Sequence, residues 1–272
     1  MKPEMTGEGI NSIAGSLSQF EEFSKEIGFV STIEDWARKH RLNVYVAVHE
    51  HDEIKDGIVS EVRKRKVTSV LDLGCGYGFL MSKLNRACSD ITIVGGDISR
   101  FQVKNAKLRN VRGSLVVCCA EHVPFKNDAF ECVVCSEVIE HVVDPKATLL
   151  EMERVLKNGG CLCVSTDNPQ SIYRRFVKLF YGIKPLILGA TSRNSVKEEF
   201  IPLTLLIGLM PKNTMIYGVR YTCPYPLLPN IGNLFGSEVI GKCWISIGKV
   251  MSKLPYVGRL FYSKYVVFGI RQ

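Results

Sequence analysis

Three glycines at alternate positions, set at the end of an apolar strand, constrain this chain more than any other feature. Residues 70–80 read Val-Leu-Asp-Leu-Gly-Cys-Gly-Tyr-Gly-Phe-Leu. A strand beginning before Val70 runs into Gly74, Gly76 and Gly78, and Phe79, Leu80 and Leu84 then follow at helical spacing. Strand, bare loop and helix in that order bring a small ligand against the backbone, because glycine alone permits both the close approach and turns at φ > 0. The spacing also separates ligand classes. A dinucleotide loop reads G-x-G-x-x-G, and its third glycine would stand where this chain has Phe79. The pattern here is G-x-G-x-G, with Asp72 two residues before the first glycine. An acid there favours a ligand with positive charge near the loop over a pyrophosphate, and a nicotinamide oxidoreductase is disfavoured.

A second apolar run, Ile91-Thr-Ile-Val-Gly-Gly-Asp97, follows about twenty-five residues after Asp72. A carboxylate at the end of the second strand of such a unit is placed to accept hydrogen bonds from ribose hydroxyls, and the neighbouring Ile98 offers an apolar face to a purine. A third strand (114–118) runs into Cys119-Ala-Glu-His-Val-Pro-Phe125, and a fourth (130–136) into Glu137-Val-Ile-Glu-His141. A helix over about 145–156, the turn Lys157-Asn-Gly-Gly160 and a fifth strand (161–166) complete the series. Strands alternating with helices predict a doubly wound α/β fold, a largely parallel sheet with helices on both faces. Ligands of such sheets bind beyond the carboxyl ends of the strands, where all these polar motifs fall.

Residues 68–168 resemble a class I S-adenosylmethionine-dependent methyltransferase of the small-molecule or quinone type. The matching segments are VLDLGCGYG, the acid of VGGD, AEHVPF, DAFECVVCSEVIEHVVDP and RVLKNGGCLCVST. The resemblance implies a seven-stranded sheet with an antiparallel last strand, here 264–270, and S-adenosylmethionine as cofactor. By the same resemblance Asp72, Gly74 and Gly76, with Cys75 and Gly78 in the same loop, hold the methionine end. Asp97 takes the ribose, Ile98 and Ala120 lie by the adenine, and Glu137 sits near the sulfonium and the substrate. The chain departs from the family at Cys119, where an aspartate often contacts the adenine amino group.

Methyl transfer from a sulfonium is an in-line displacement, so the protein's part is to align a nucleophile with the methyl group and, where needed, remove its proton. Glu137, Glu140, His141 and His122 are candidate bases, with His141 best suited to neutral pH because histidine titrates there. Glu137, Glu140 and His141 form E-x-x-E-H, expected at the start of a helix. There, positions i, i+3 and i+4 share a face, so the three could hold a divalent ion orienting a hydroxyl-bearing substrate. The resemblance links such metal use to quinone-ring O-methyltransferases and small-RNA 3′-end methyltransferases; the latter also use a later histidine, and this chain has none after His141.

The organisation reads as an N-terminal helical extension or lid (1–66), a cofactor-binding core (67–170) and an enlarged substrate-side segment with the final strands of the same domain (171–272). In the extension, Phe20, Phe23, Ile27, Phe29, Ile33 and Trp36 approach helical spacing, and a second helix is expected over about 54–65, with His49 and His51 in the loop between. The N-terminus shows no apolar signal core, and ten cysteines in that setting suggest a reducing, cytoplasmic compartment. Cys132 and Cys135 point to opposite faces of a strand. Cys161 and Cys163 share a face of a buried strand, where cysteine serves as a small apolar residue, so zinc or disulfide roles are not expected.

Charge is lopsided. Residues 1–170 carry 21 Lys+Arg against 24 Asp+Glu, and residues 171–272 carry 14 against 3. The basic part is also apolar, at 184–188, 201–210 and 260–262, yet its runs are shorter than the ~20 residues that span a bilayer. That combination suits a core or dimer face, a pocket for a hydrophobic acceptor such as a quinone, polyprenyl precursor or lipid, or a peripheral position on the inner face of the membrane. Tyr173, Arg174, Arg175 and Phe176 put aromatics beside charge, the weaker sign of RNA binding. Two other readings stand beside a small-molecule enzyme: a methyltransferase acting on RNA or protein, and a non-catalytic cofactor-binding regulator.

Overall fold

In the computed structural model, residues 44–172, 201–224, 238–251, 253–254, 260 and 262–272 are described. The amphipathic 20–36 segment, the 173–176 aromatic–basic cluster and the 184–188 apolar run lie outside them. Among these described residues are seven strands: β1 (Ser69–Leu73), β2 (Thr92–Asp97), β3 (Ser114–Val117), β4 (Phe130–Ser136), β5 (Leu156–Asp167), β6 (Thr214–Pro224) and β7 (Tyr262–Arg271). Between them run α1 (Val44–Lys64), α2 (Phe79–Ala87), α3 (Arg100–Leu108), α4 (Pro145–Val155), α5 (Leu203–Leu209) and α6 (Glu238–Met251).

The strands form one sheet in the order β3-β2-β1-β4-β5-β7-β6. β1 to β5 are mutually parallel, and β7 runs antiparallel between β5 and β6. Alternation along β4 divides the core in two, as the two-residue period of a strand requires. Cys132 and Val134 face a layer built with Ile54, Ile58 and Val62 of α1, Met81 and Leu84 of α2 and Ile245 of α6. Val133 and Cys135 face the opposite layer, with Leu149, Met152 and Val155 of α4 and Leu206 of α5. The doubly wound arrangement and the antiparallel last strand are as the sequence implies.

Three local expectations need correction. The helix expected over 54–65 begins at Val44, so His49 and His51 lie within α1, not in a loop before it. The turn 157–160 falls inside β5 as a bulge: Phe130 pairs with Leu156, the register then shifts, and Cys132 pairs with Cys161. Glu137, Glu140 and His141 occupy turns after β4 and do not start a helix. The helix waits for Asp144, whose carboxylate caps it by accepting from the Ala147 amide at 3.0 Å, and for Pro145 in its first turn. A side-chain acceptor followed by proline is a strong start signal, since proline lacks only an N–H that would be unpaired anyway.

Candidate active site

The loop after β1 is tied to the end of β2 by backbone. The Gly74 and Cys75 amides both donate to the Gly96 carbonyl, at 2.7 and 3.0 Å. Gly74 has φ 77°, and a Cβ built on it would lie 2.1 Å from Cγ2 of Val138. That position therefore excludes side chains on two grounds, backbone conformation and space. Gly76, also at positive φ, turns its amide to Oδ2 of Asp97 at 2.8 Å, while the Ser99 amide donates to Oδ1 at 2.9 Å. These two amide bonds fix the orientation of the Asp97 carboxylate at the end of β2.

Asp72, at the end of β1, is buried, and its Oδ2 has no hydrogen-bond partner among the described residues. Burial pushes its carboxyl up to about 7, with Lys55 opposing the shift and Asp97 adding to it. Lys55 of α1 is itself buried, which brings it down to about 8 against the pull of Asp72. A buried acceptor lacking a donor, beside a loop with glycine at every other position, fits a ligand that carries a cationic donor. These residues thus suit the methionine end of S-adenosylmethionine, with Asp97 suited to its ribose.

Just after β3, the Cys119 thiol donates to Oε2 of Glu121 at 2.6 Å. Burial first, and then that carboxylate, push the thiol up to about 12. The other Glu121 oxygen accepts from the Val143 amide at 2.8 Å and so anchors the loop before α4. The departure at Cys119 is thus absorbed locally: its only donor is directed at Glu121.

Beyond β4 and β5 lies a second charged group. Glu137 has φ 60°, its Oε1 accepts from Ser165 Oγ at 3.0 Å, and its Oε2 is ion-paired with Lys264. Lys264 also reaches Asp167 at 3.1 Å, because β7 places it directly opposite Asp167 in the register. Glu140 is buried and accepts from Thr166 Oγ1 at 2.9 Å. His141 closes a turn through its amide, which donates to the Val138 carbonyl at 2.9 Å. The suspected metal set does not assemble. Among the described residues, Glu137, Glu140 and His141 form no cluster of ligand atoms within 4.8 Å of one another; with no shared helix face, the two carboxylates turn to Ser165 and Thr166.

Sequence reasoning missed Lys55 and Lys264. The signal for Lys264 was a charged residue at the start of an otherwise apolar strand. For Lys55 it was a lysine at helical spacing from the apolar stripe of α1.

Residues 71–164 match the methyltransferase domain family. The chain is 36% identical over 124 residues to a ubiquinone/menaquinone biosynthesis C-methyltransferase of Desulfotalea psychrophila, covering 43% of this chain and 50% of that protein. It is 29% identical over 201 residues to a ubiquinone biosynthesis O-methyltransferase of Psychrobacter cryohalolentis, covering 68% and 77%. The match therefore spans only half the length of the first relative. Among solved structures, magnesium protoporphyrin IX methyltransferase from Synechocystis, with bound SAH, superposes with a TM-score of 0.57 at 14% identity, covering 84% of this chain and 86% of that one. A SAM-dependent methyltransferase from Thermotoga maritima gives 0.56 at 20% identity, covering 94% and 100%. Both share the fold. Residues 71–164 thus form a methyltransferase domain, set in the fold that these solved methyltransferases share.

Proposed function

We propose that this protein transfers a methyl group from S-adenosylmethionine to a small hydrophobic acceptor of the quinone or polyprenyl-precursor kind. The observation that carries the cofactor half is Asp72, a buried carboxylate with an orphan oxygen two residues before Gly74, where no side chain fits. The acceptor half is supported by the names of the relatives, two of which act in ubiquinone or menaquinone biosynthesis.

In this reading Asp72 and the 74–78 loop, including Cys75 and Gly78, hold the amino-acid end of the cofactor. Asp97 holds the ribose, and Ile98, Cys119 and Ala120 border the base. When bound, the cofactor supplies an electrophilic methyl group on a sulfonium. The chain's remaining work is alignment and proton management. Glu137, locked by Ser165 and Lys264, orients the acceptor from the end of β4. Lys264 places a cation where an acceptor hydroxyl that loses its proton would build negative charge. His141, on the adjacent turn, is the base for acceptors whose hydroxyl must be deprotonated. No metal is required by this scheme.

The basic apolar segment supports a hydrophobic acceptor and a peripheral membrane position. Leu205 and Ile207 of α5 are 52% and 41% exposed, and no described helix is long and apolar enough to cross a membrane. The test is transfer of labelled methyl from S-adenosylmethionine into a cell extract, partitioned between organic and aqueous phases. Label in the organic phase is expected; label confined to protein or RNA would overturn the acceptor assignment. Asp97→Ala should weaken cofactor binding about 10–100-fold, the loss of a pair of ligand hydrogen bonds, and unchanged affinity by calorimetry would remove Asp97 from the ribose site.

A further inference from the structure

A second cluster of reactive side chains lies deep in the sheet, separate from the rim just described. Cys132 of β4 and Cys161 and Cys163 of β5 are all buried and face the same layer. Their sulfurs lie within 4.8 Å of one another. Strand geometry alone does not give this. Same-face neighbours along one strand stand roughly 6.6 Å apart, and adjacent strands about 4.8 Å. The bulge at 157–160 sets the register that brings Cys132 opposite Cys161, with Val134 opposite Cys163. Cys163 must then lean toward the other two for all three sulfurs to meet.

The surroundings are polar on one side. Tyr217 packs against this layer. Its hydroxyl donates to Glu61 at 2.6 Å, Glu61 pairs with Arg65 at 2.5 Å, and Arg65 stacks 4.4 Å over the Tyr217 ring. Cys161 accepts from the Cys132 and then the Cys163 thiol, and these bonds with the Arg65 charge hold it well below the ordinary thiol range. Cys132 is raised above it, first by its bond to Cys161. The Tyr217–Glu61–Arg65 group thus borders the layer that holds the three sulfurs.

We propose that Cys132, Cys161 and Cys163 form a three-sulfur site for a soft monovalent metal ion, of which cuprous ion is the type. Thiolate ligands select soft ions. Structural zinc takes four ligands, whereas among the described residues no fourth cysteine, histidine or carboxylate joins this cluster. Metal–sulfur bonds form as thiol protons leave for solvent; no electron moves and no oxidant is needed. The site ties β4 to β5 within the sheet, four to six residues before Glu137 and Asp167 along the two strands.

The test titrates the reduced full-length protein, without oxygen, with cuprous ion buffered by bicinchoninate. One equivalent should leave the chelator, with the ultraviolet absorbance of copper–thiolate bonds. Cys161→Ser should lose at least about 100-fold in affinity, the effect of deleting a directly bound ligand. Cys243→Ser, at an exposed position, should bind as the parent does. Cys163→Ala, which keeps an apolar side chain, answers the case in which Cys161→Ser does not fold, with circular dichroism as the check. Uptake that persists in folded Cys163→Ala, no uptake by the parent, or tighter binding of zinc than of cuprous ion would each overturn the proposal.

Discussion

β1 and β4 are neighbours at the centre of the sheet, and both leave it through a residue in the left-handed region. At β1 that residue is Gly74, φ 77°; at β4 it is Glu137, φ 60°. The same bend serves opposite purposes. After β1 the backbone stays bare at the bend, where Val138 leaves no room for a Cβ. After β4 a carboxylate must be presented, so the chain accepts roughly 1 kcal/mol of left-handed strain in a residue with a Cβ. Ser165 and Lys264 hold the strained residue in place. The two exits also interlock, since Val138, next to Glu137, fills the space a side chain at position 74 would need.

The strongest way to break this pairing is Gly74→Ala. A Cβ 2.1 Å from Val138 Cγ2 and a positive φ act together, so stability should fall by about 3 kcal/mol or more and cofactor binding should be lost. Val138→Ala in the same chain should recover part of the stability, read by thermal unfolding; no recovery would mean that the exits do not interlock. Next in size is Lys264→Met. On the proposed acceptor role of Lys264, it should lower turnover by about tenfold or more while cofactor affinity stays within about threefold. Equal losses in both would make Lys264 only a brace for Glu137.

A smaller effect concerns pH. The folded value for Asp72 is raised to about 7 from 3.8. Between those values the folded protein keeps a proton that the unfolded chain has lost, so this group's contribution to stability is full below the lower value and lost as pH rises through the upper. A cationic ligand favours the ionised form, so cofactor affinity should instead rise with pH through about 7. Asp72→Asn should flatten that rise; an unchanged slope would assign it to another group. The smallest difference separates Glu137→Ala from Glu137→Gly. Both lose the ion pair, but glycine also relieves the backbone, so it should be the more stable by about 1 kcal/mol in urea unfolding.

The β1 exit was legible in the sequence and the β4 exit only half so. Glycines in a row announce a bare loop, and the strands from β1 to β4 fall within a residue or two of their expected bounds. Glu137 was singled out by resemblance, but its partners come from far along the chain. Lys264 reaches it through the β5–β7 register, for which no local pattern exists. The same holds for the thiols. Alternation placed Cys132 and Cys135 on opposite faces and Cys161 with Cys163 on one, but the meeting of Cys132 with that pair depends on the bulge that sets β4 against β5. The helical phase of E-x-x-E-H failed because Asp144 and Pro145 hold a stronger start signal than any in the acids before them.

The position of β7 has a consequence for how the molecule is made. Last of the strands in sequence, it sits between β5 and β6 and pairs with both. During synthesis β5 has one bare edge, and β6 has no neighbour in the sheet, until β7 has emerged. Unpaired edges are the points at which growing chains stick to one another. Lys264 rides on that same strand, so Glu137 and Asp167 gain their shared cation in the step that closes the sheet. A chain halted before β7 would carry every residue from Asp72 to His141 yet leave Glu137 and Asp167 without that cation.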